Sequence, residues 1–262
     1  MVSMKVKPGR RDRGRLAPAL ALALVFLGAA ADQAVAGPPF LSDDPEPTDL
    51  GHWEIYNFVN GAKDHGAVSG EGGIDLNYGA IKDVQLTGVF PAGYTSDGGY
   101  RLKHLAGYAG VVELAVKYKL VHQDEHSLVP DVAVFPRVFI PTSGHFGPPR
   151  TNLLLPVWAQ KDWGDWSVFG GGGYQINPGA GQKNFWQGGL AVTRAFGKAF
   201  TLGGEVYGQG KDARDGTGSV TLNVASTYRF TEHWSLLASA GPVRHSDGTH
   251  GSIFYLSLKA DY

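Results

Sequence analysis

An alternation of period two, sustained over long segments, limits this chain more than any other feature. From Phe254 the even positions read Phe254, Leu256, Leu258, Ala260 and Tyr262, with Ser257, Lys259 and Asp261 between them. The same pattern sets Val112, Leu114, Val116, Tyr118 and Leu120 against Glu113, Lys117 and Lys119. It recurs with Val220, Leu222 and Val224 against Thr221 and Asn223, and with Ile74, Leu76 and Tyr78 against Asp75 and Asn77. Successive side chains of a strand point to opposite faces, so each segment reads as a strand with one apolar and one polar face.

Scanned this way, the chain predicts twelve strands, roughly 51–60, 71–80, 83–92, 107–120, 127–140, 151–161, 165–176, 185–196, 199–209, 218–230, 233–242 and 252–262. Strands of ten to fourteen residues exceed those of ordinary soluble sheets and match a tilted strand crossing a bilayer. Their connections alternate in length. Short turns fall at 80–83, 122–126, 162–165, 197–198 and 231–233, and longer polar loops at 61–70, 93–106, 142–150, 178–184, 210–218 and 243–251. Aromatics gather beside the short turns, at Trp163, Trp166, Phe196, Phe200, Phe230, Trp234 and Tyr262. A second set, Phe90, Tyr108, Phe139, Tyr174, Trp186, Tyr207 and Phe254, lies toward the opposite ends.

These features predict an all-β fold: a closed antiparallel transmembrane β-barrel of about 12 strands, with short periplasmic turns, longer extracellular loops and two aromatic girdles. Closure is demanded by the solvent, because unpaired backbone groups in hydrocarbon cost several kcal/mol each. An even strand number puts Tyr262 on the periplasmic rim, where the barrel-assembly machinery is the expected partner, with outer-membrane lipid around the wall. A secreted β-sandwich or lipocalin-like barrel carries the same alternation with its apolar face inward, and is the alternative.

The remaining signals concern export and charge. Lys5, Lys7, Arg10, Arg11, Arg13 and Arg15 precede the apolar run 16–31, and Ala34-Val35-Ala36 supplies small residues for cleavage before Gly37. The expected organisation is a signal peptide at 1–36, a periplasmic Pro/Asp-rich leader at 37–50 and the barrel at 51–262. With no Cys, the chain has neither a disulfide scaffold nor a thiolate metal centre. Beyond residue 36 it carries 17 basic and 22 acidic side chains, which is no footprint for nucleic acid.

The leader runs Gly37-Pro38-Pro39-Phe40-Leu41-Ser42-Asp43-Asp44-Pro45-Glu46-Pro47 and is followed by Gly51-His52-Trp53-Glu54-Ile55. This opening resembles the bacterial outer-membrane family named for the MetA pathway of phenol degradation. Members of that family begin with a Thr/Ser-Asp-Asp stretch, then a Gly and an aromatic-Glu start to the first strand. The resemblance extends in strand layout over about residues 40–262, and Pro45 and Glu46 depart from the residues common in that family. It implies a transporter-like barrel for small, often hydrophobic or aromatic, solutes, without catalysis. Read physically, four prolines forbid helix and four acids lie within seven residues, which suits a solvated lead-in to the first strand, or else a small plug.

Strand parity turns Asp75, Asn77, Gln85, Thr87, Glu113, Lys117, Asp131, Arg137, Asn152, Gln160, Glu205, Asn223, Thr227, Arg229, Ser235 and Lys259 toward the lumen. Both signs occur, so these residues would line a restricted pathway of weak ion preference, or else pair and fill the interior. Twelve strands fall between barrels filled by side chains and open porins. No cofactor is expected. His245, Asp247 and His250 lack a recognised zinc spacing, and the glycines of 170–173 lack the Lys and Ser/Thr of a phosphate loop. A lipid hydrolase needs a Ser-His pair, for which Ser143 with His145 and Ser246 with His245 are the near-sequence candidates. A non-conducting structural or surface-binding barrel is the further alternative.

Overall fold

The computed structural model describes residues 38–64, 67–97, 104–105, 111–124, 126–142 and 148–262. The expected signal peptide, together with Tyr108, Ser143 and His145, lies outside them. Fourteen strands occur among the described residues: β1 Trp53–Asp64, β2 Ala67–Ile81, β3 Val84–Asp97, β4 His104–Leu105, β5 Val111–Val121, β6 Asp131–Val134, β7 Arg137–Pro141, β8 Asn152–Trp163, β9 Trp166–Ile176, β10 Phe185–Phe196, β11 Phe200–Gln209, β12 Ser219–Arg229, β13 Trp234–His245 and β14 His250–Asp261. Twelve of these segments' worth of wall closes into one ring, because β6 and β7 share a single position and the two-residue β4 merely edges β3.

Every wall neighbour is antiparallel. The ring closes where β1 meets β14, in register from Glu54 opposite Asp261 to Asp64 opposite Gly251. On the other side β3 pairs β5, and β5 is joined to β8 through β6 and β7. At the seam the Trp53 amide donates to the Tyr262 carbonyl at 2.7 Å and the Tyr262 amide donates back at 3.0 Å. The last residue thus completes the first strand's hydrogen bonding, and no wall edge is left bare to lipid.

The oily side chains point outward. Leu222, Val224 and Leu256 are 53%, 62% and 45% exposed, while their strand neighbours Asn223 and Ser257 are buried on the other side. A soluble barrel or sandwich would show the reverse. Trp163, Trp166, Phe196, Phe230 and Tyr262 stand exposed near the short-turn rim, and Phe90, Trp186 and Phe254 toward the opposite one. Two members expected in that second girdle are instead turned inward. Tyr207 donates its hydroxyl to Gln187 at 3.0 Å, and Phe139 shares the inward parity of Arg137, whose guanidinium lies 5.5 Å from its ring.

Three further expectations need correcting. The loop expected at 61–70 is mostly ladder, since β1 runs to Asp64 and β2 starts at Ala67. The strand expected at 127–140 begins at Asp131 and is interrupted at Phe135 and Pro136, because proline brings no amide to the ladder. The strand expected at 83–92 extends to Asp97. Tight turns at the other rim follow the sequence: Gly164 and Gly197 take φ of 57° and 67°, a backbone conformation open to glycine at no steric cost.

Val224 is the central residue of β12 and faces outward. Val224→Arg should lower folding stability in lipid vesicles by about 2–4 kcal/mol, measured by urea titration, the cost of a cation at mid-depth on the lipid face.

Candidate functional site: a lumen occupied by the leader

The leader is not a solvated lead-in. Residues 38–50 lie inside the ring, where Ser42, Asp44, Pro45, Pro47 and Thr48 are buried. Starting near β13, the Pro39 carbonyl accepts from Ser239 Oγ at 2.7 Å, and the Phe40 ring packs edge-on against Phe169 of β9 with centroids 5.4 Å apart. The Leu41 and Ser42 amides both donate to the Glu205 carboxylate of β11, the first at 3.0 Å. Crossing to β5, Asp43 and Asp44 bracket Lys117 Nζ at 2.9 and 3.3 Å. Glu46 pairs with Lys119, and Lys119 also meets Asp131 of β6 at 2.9 Å. Thr48 then donates to Gln85 of β3 through its amide at 2.8 Å, and the Gly51 amide donates to the Gly79 carbonyl at 2.7 Å as the chain turns into β1.

Room for this path comes from glycines facing inward. At Gly79 a methyl group would stand 1.9 Å from the Asp49 carbonyl oxygen, and at Gly203 it would stand 2.9 Å from the Phe40 ring. Any side chain there would push the leader off the wall.

Most backbone donors of the leader find partners over its buried stretch. Its prolines bring no N–H, the Asp44 amide donates to Asp43, the Glu46 amide to Asp44, and those of Leu41, Ser42 and Thr48 bond Glu205 and Gln85. An extended segment can therefore lie in a sheet-walled interior with most of its amides paired.

Beside the leader runs a cavity of about 1560 Å³. Its lining reaches from Ala62, Ser69 and Glu71, near the outer ends of β1 and β2, to Gln123, Trp163 and Gly164 at the short-turn rim. One continuous space therefore touches both ends of the ring. Its acids are Asp43, Asp44, Glu46 and Asp49 from the leader, with Glu54, Glu71, Asp75, Glu113, Asp131 and Asp162 from the wall; its permanent cations are Lys117, Lys119 and Arg137.

The residues picked out by parity fall into separate groups. Asp75, Asn77, Gln85, Thr87, Glu113, Lys117, Asp131, Arg137 and Gln160 line the cavity. Arg137 holds Glu113 through two hydrogen bonds of 2.7 and 2.8 Å. Glu205 and Asn223 lie against the leader's far side and are bonded to each other at 3.2 Å. Lys259 sits at the rim between Glu54 and Asp261, each at 2.9 Å. Arg229 is exposed at the end of β12 and lines nothing, because parity places a side chain but not its height. Of the histidines, His245 Nε2 lies 3.6 Å from Asp64, while Asp247 instead accepts from Thr249 within its turn. Among the residues that line the cavity, acids outnumber permanent cations.

The COG4313 outer membrane channel from Pseudomonas putida F1 superposes with a TM-score of 0.67 at 15% identity, covering 84% of this chain and 98% of that one. The fold is that of an outer-membrane β-barrel. A NanC porin superposes with a TM-score of 0.55 at 12% identity, over 78% of this chain and 98% of the porin. No family profile and no curated protein sequence matches the chain. The likeness expected from the opening segment is therefore met at the level of architecture.

Sequence reasoning offered a small plug as the alternative for the leader but not its path, although signals for it existed. Lys117 and Lys119 are successive inward positions on β5, and Gly189 and Gly203 break otherwise filled inward rows.

Two outcomes test the seat. Glu205→Ala should leave the Leu41 and Ser42 amides without their carboxylate and speed their hydrogen exchange by about tenfold or more, read by mass spectrometry. Burial pushes the Asp44 carboxyl up to about 7 even though Lys117 pulls it down, with Asp43 and Glu54 adding repulsion. A carboxyl with a seated value above its free one binds its proton more tightly in the seat. Asp44's own contribution to the seat is therefore greatest in acid and is lost as pH rises through about 7. Proteolysis of residues 38–50 should accelerate accordingly from pH about 5 to about 8, and Asp44→Asn should flatten that dependence.

Proposed function

We propose that the protein is a conduit in the outer membrane of a Gram-negative bacterium, passing small solutes and favouring cations, with the leader as its constriction. The observation that carries this reading is the acid-lined cavity that reaches both ends of the ring beside residues 38–50. Passage needs no cofactor, because selectivity arises from width and from the field of the lining side chains. Both similar structures are described as a channel or a porin, which agrees with the reading.

The lining also suggests what organic solutes would pass. Tyr56, Phe135 and Tyr255 line the same space that holds the carboxylates. A small molecule with an aromatic or aliphatic body and a positive or polar group finds both contacts there. Tyr262, exposed at the short-turn rim, is the terminal aromatic that barrel-assembly machinery would read, and this rim would then face the periplasm.

Planar-bilayer recordings test the reading. The mature chain should give a small conductance with a reversal potential favouring K⁺ over Cl⁻ in a salt gradient, and a variant lacking residues 38–49 should conduct several-fold more. Silence from both chains, once each is shown to be folded by its heat-modifiable band, would sink it.

A further inference from the structure

The outward row of β10 reads Leu190, Val192, Arg194 and Phe196, with the intervening Ala191, Thr193 and Ala195 buried on the inward side. An arginine therefore stands on the lipid side of the wall, two residues from the strand's end. Its guanidinium carbon lies 5.3 Å from the Trp166 ring centroid and 5.1 Å from that of Phe196. Both rings are 48% exposed, and Leu202 opposite is 41% exposed. Nε of Arg194 is buried without a hydrogen-bond partner among the described residues. The same sector of the rim carries Lys198 in the β10–β11 turn and the exposed Arg229, whose amide donates to the Ala199 carbonyl at 2.8 Å. Asp165 and Glu232 are the acids of the adjoining turns.

A cation placed this way is costly unless something anionic comes to it. The aromatic girdle marks the level of the lipid headgroups, and at that level the abundant anion is the headgroup phosphate. Two flanking rings stabilise the guanidinium as a cation and limit its rotamers, while its planar fork matches phosphate oxygens in pairs.

We propose that Arg194, clasped by Trp166 and Phe196, binds the phosphate of a glycerophospholipid in the leaflet next to the short turns, with Lys198 and Arg229 adding attraction. The site lies on the outer wall and is separate from the lumen. It rests on the membrane placement proposed above, and not on conduction.

The test is native mass spectrometry of the full mature chain, reconstituted in phosphatidylcholine vesicles with phosphatidylglycerol as the minor lipid and released into mild detergent. The wild-type chain should retain a phosphatidylglycerol adduct. Arg194→Gln should reduce it by about tenfold, the loss of a paired charge-assisted bond. Arg194→Lys should keep the charge but not the fork and fall between them, whereas Trp186→Phe, in the girdle of the opposite rim, should leave the adduct intact. Excess inorganic phosphate should not displace the lipid; displacement would mean a plain anion site and overturn the lipid assignment. Equal adducts in wild type and Arg194→Gln, with both heat-modifiable, would overturn the site alone. Failure of the wild-type chain to insert would overturn the membrane placement and this site with it.

Discussion

The structure depends first on the hydrogen bonds that join β1 to β14. Without that seam, the row of amides and carbonyls from Glu54 to Asp64 would face hydrocarbon, and the cost of leaving them unpaired would exceed the net stability of a typical domain. Once the ring closes, the remaining arrangement follows from parity. Each strand must give one face to lipid and the other to the interior, so the polar residues between Leu222 and Val224 or between Leu256 and Leu258 can only turn inward. The membrane thus decides the inside by dictating the outside.

A ring of twelve leaves an interior that side chains alone fill poorly. Here part of the filling is the chain's own leader, and its composition suits the task. Prolines remove donors that a buried extended segment could not pair, and the acids meet Lys117 and Lys119 on one wall. On the opposite wall the logic is reversed. Glu205 brings the negative charge and the leader brings amides. Buried carboxylates without such donors would be forced to take up protons. The seat is therefore complementary on both flanks, and glycines at 79 and 203 supply the space that complementarity requires.

Much of the wall was legible in the sequence because hydrocarbon enforces a strict period. Strands β8 to β14 fall within a few residues of where alternation puts them. The weaker readings share a cause, namely that parity reports the face a residue takes and nothing else. It gave Arg229 to the lumen when height puts it at the rim, and it did not register that Phe139 and Tyr207 sit on inward parity. The β6–β7 interruption escaped because Val132, Val134 and Phe135 still read as strand, while Pro136 withholds the amide that would continue the ladder. The leader's position was legible only in part. Its charges announce a cationic partner, but no local pattern tells a segment outside the strands that its partner lies seventy-odd residues away on Lys117.

Seat and pathway draw on the same two lysines, which ties width to selectivity. With the leader in place, Lys117 and Lys119 are engaged by its carboxylates, and the four leader acids add to six from the wall against three cations. Remove the leader and those acids go with it, while Lys117 loses both its carboxylates and Lys119 keeps only Asp131. The field along the path then becomes less negative as the path becomes wider. A barrel blocked by an inert cork would change in width alone. On the proposed reading the constriction is itself the larger source of negative charge per residue, so opening and loss of cation preference would occur together.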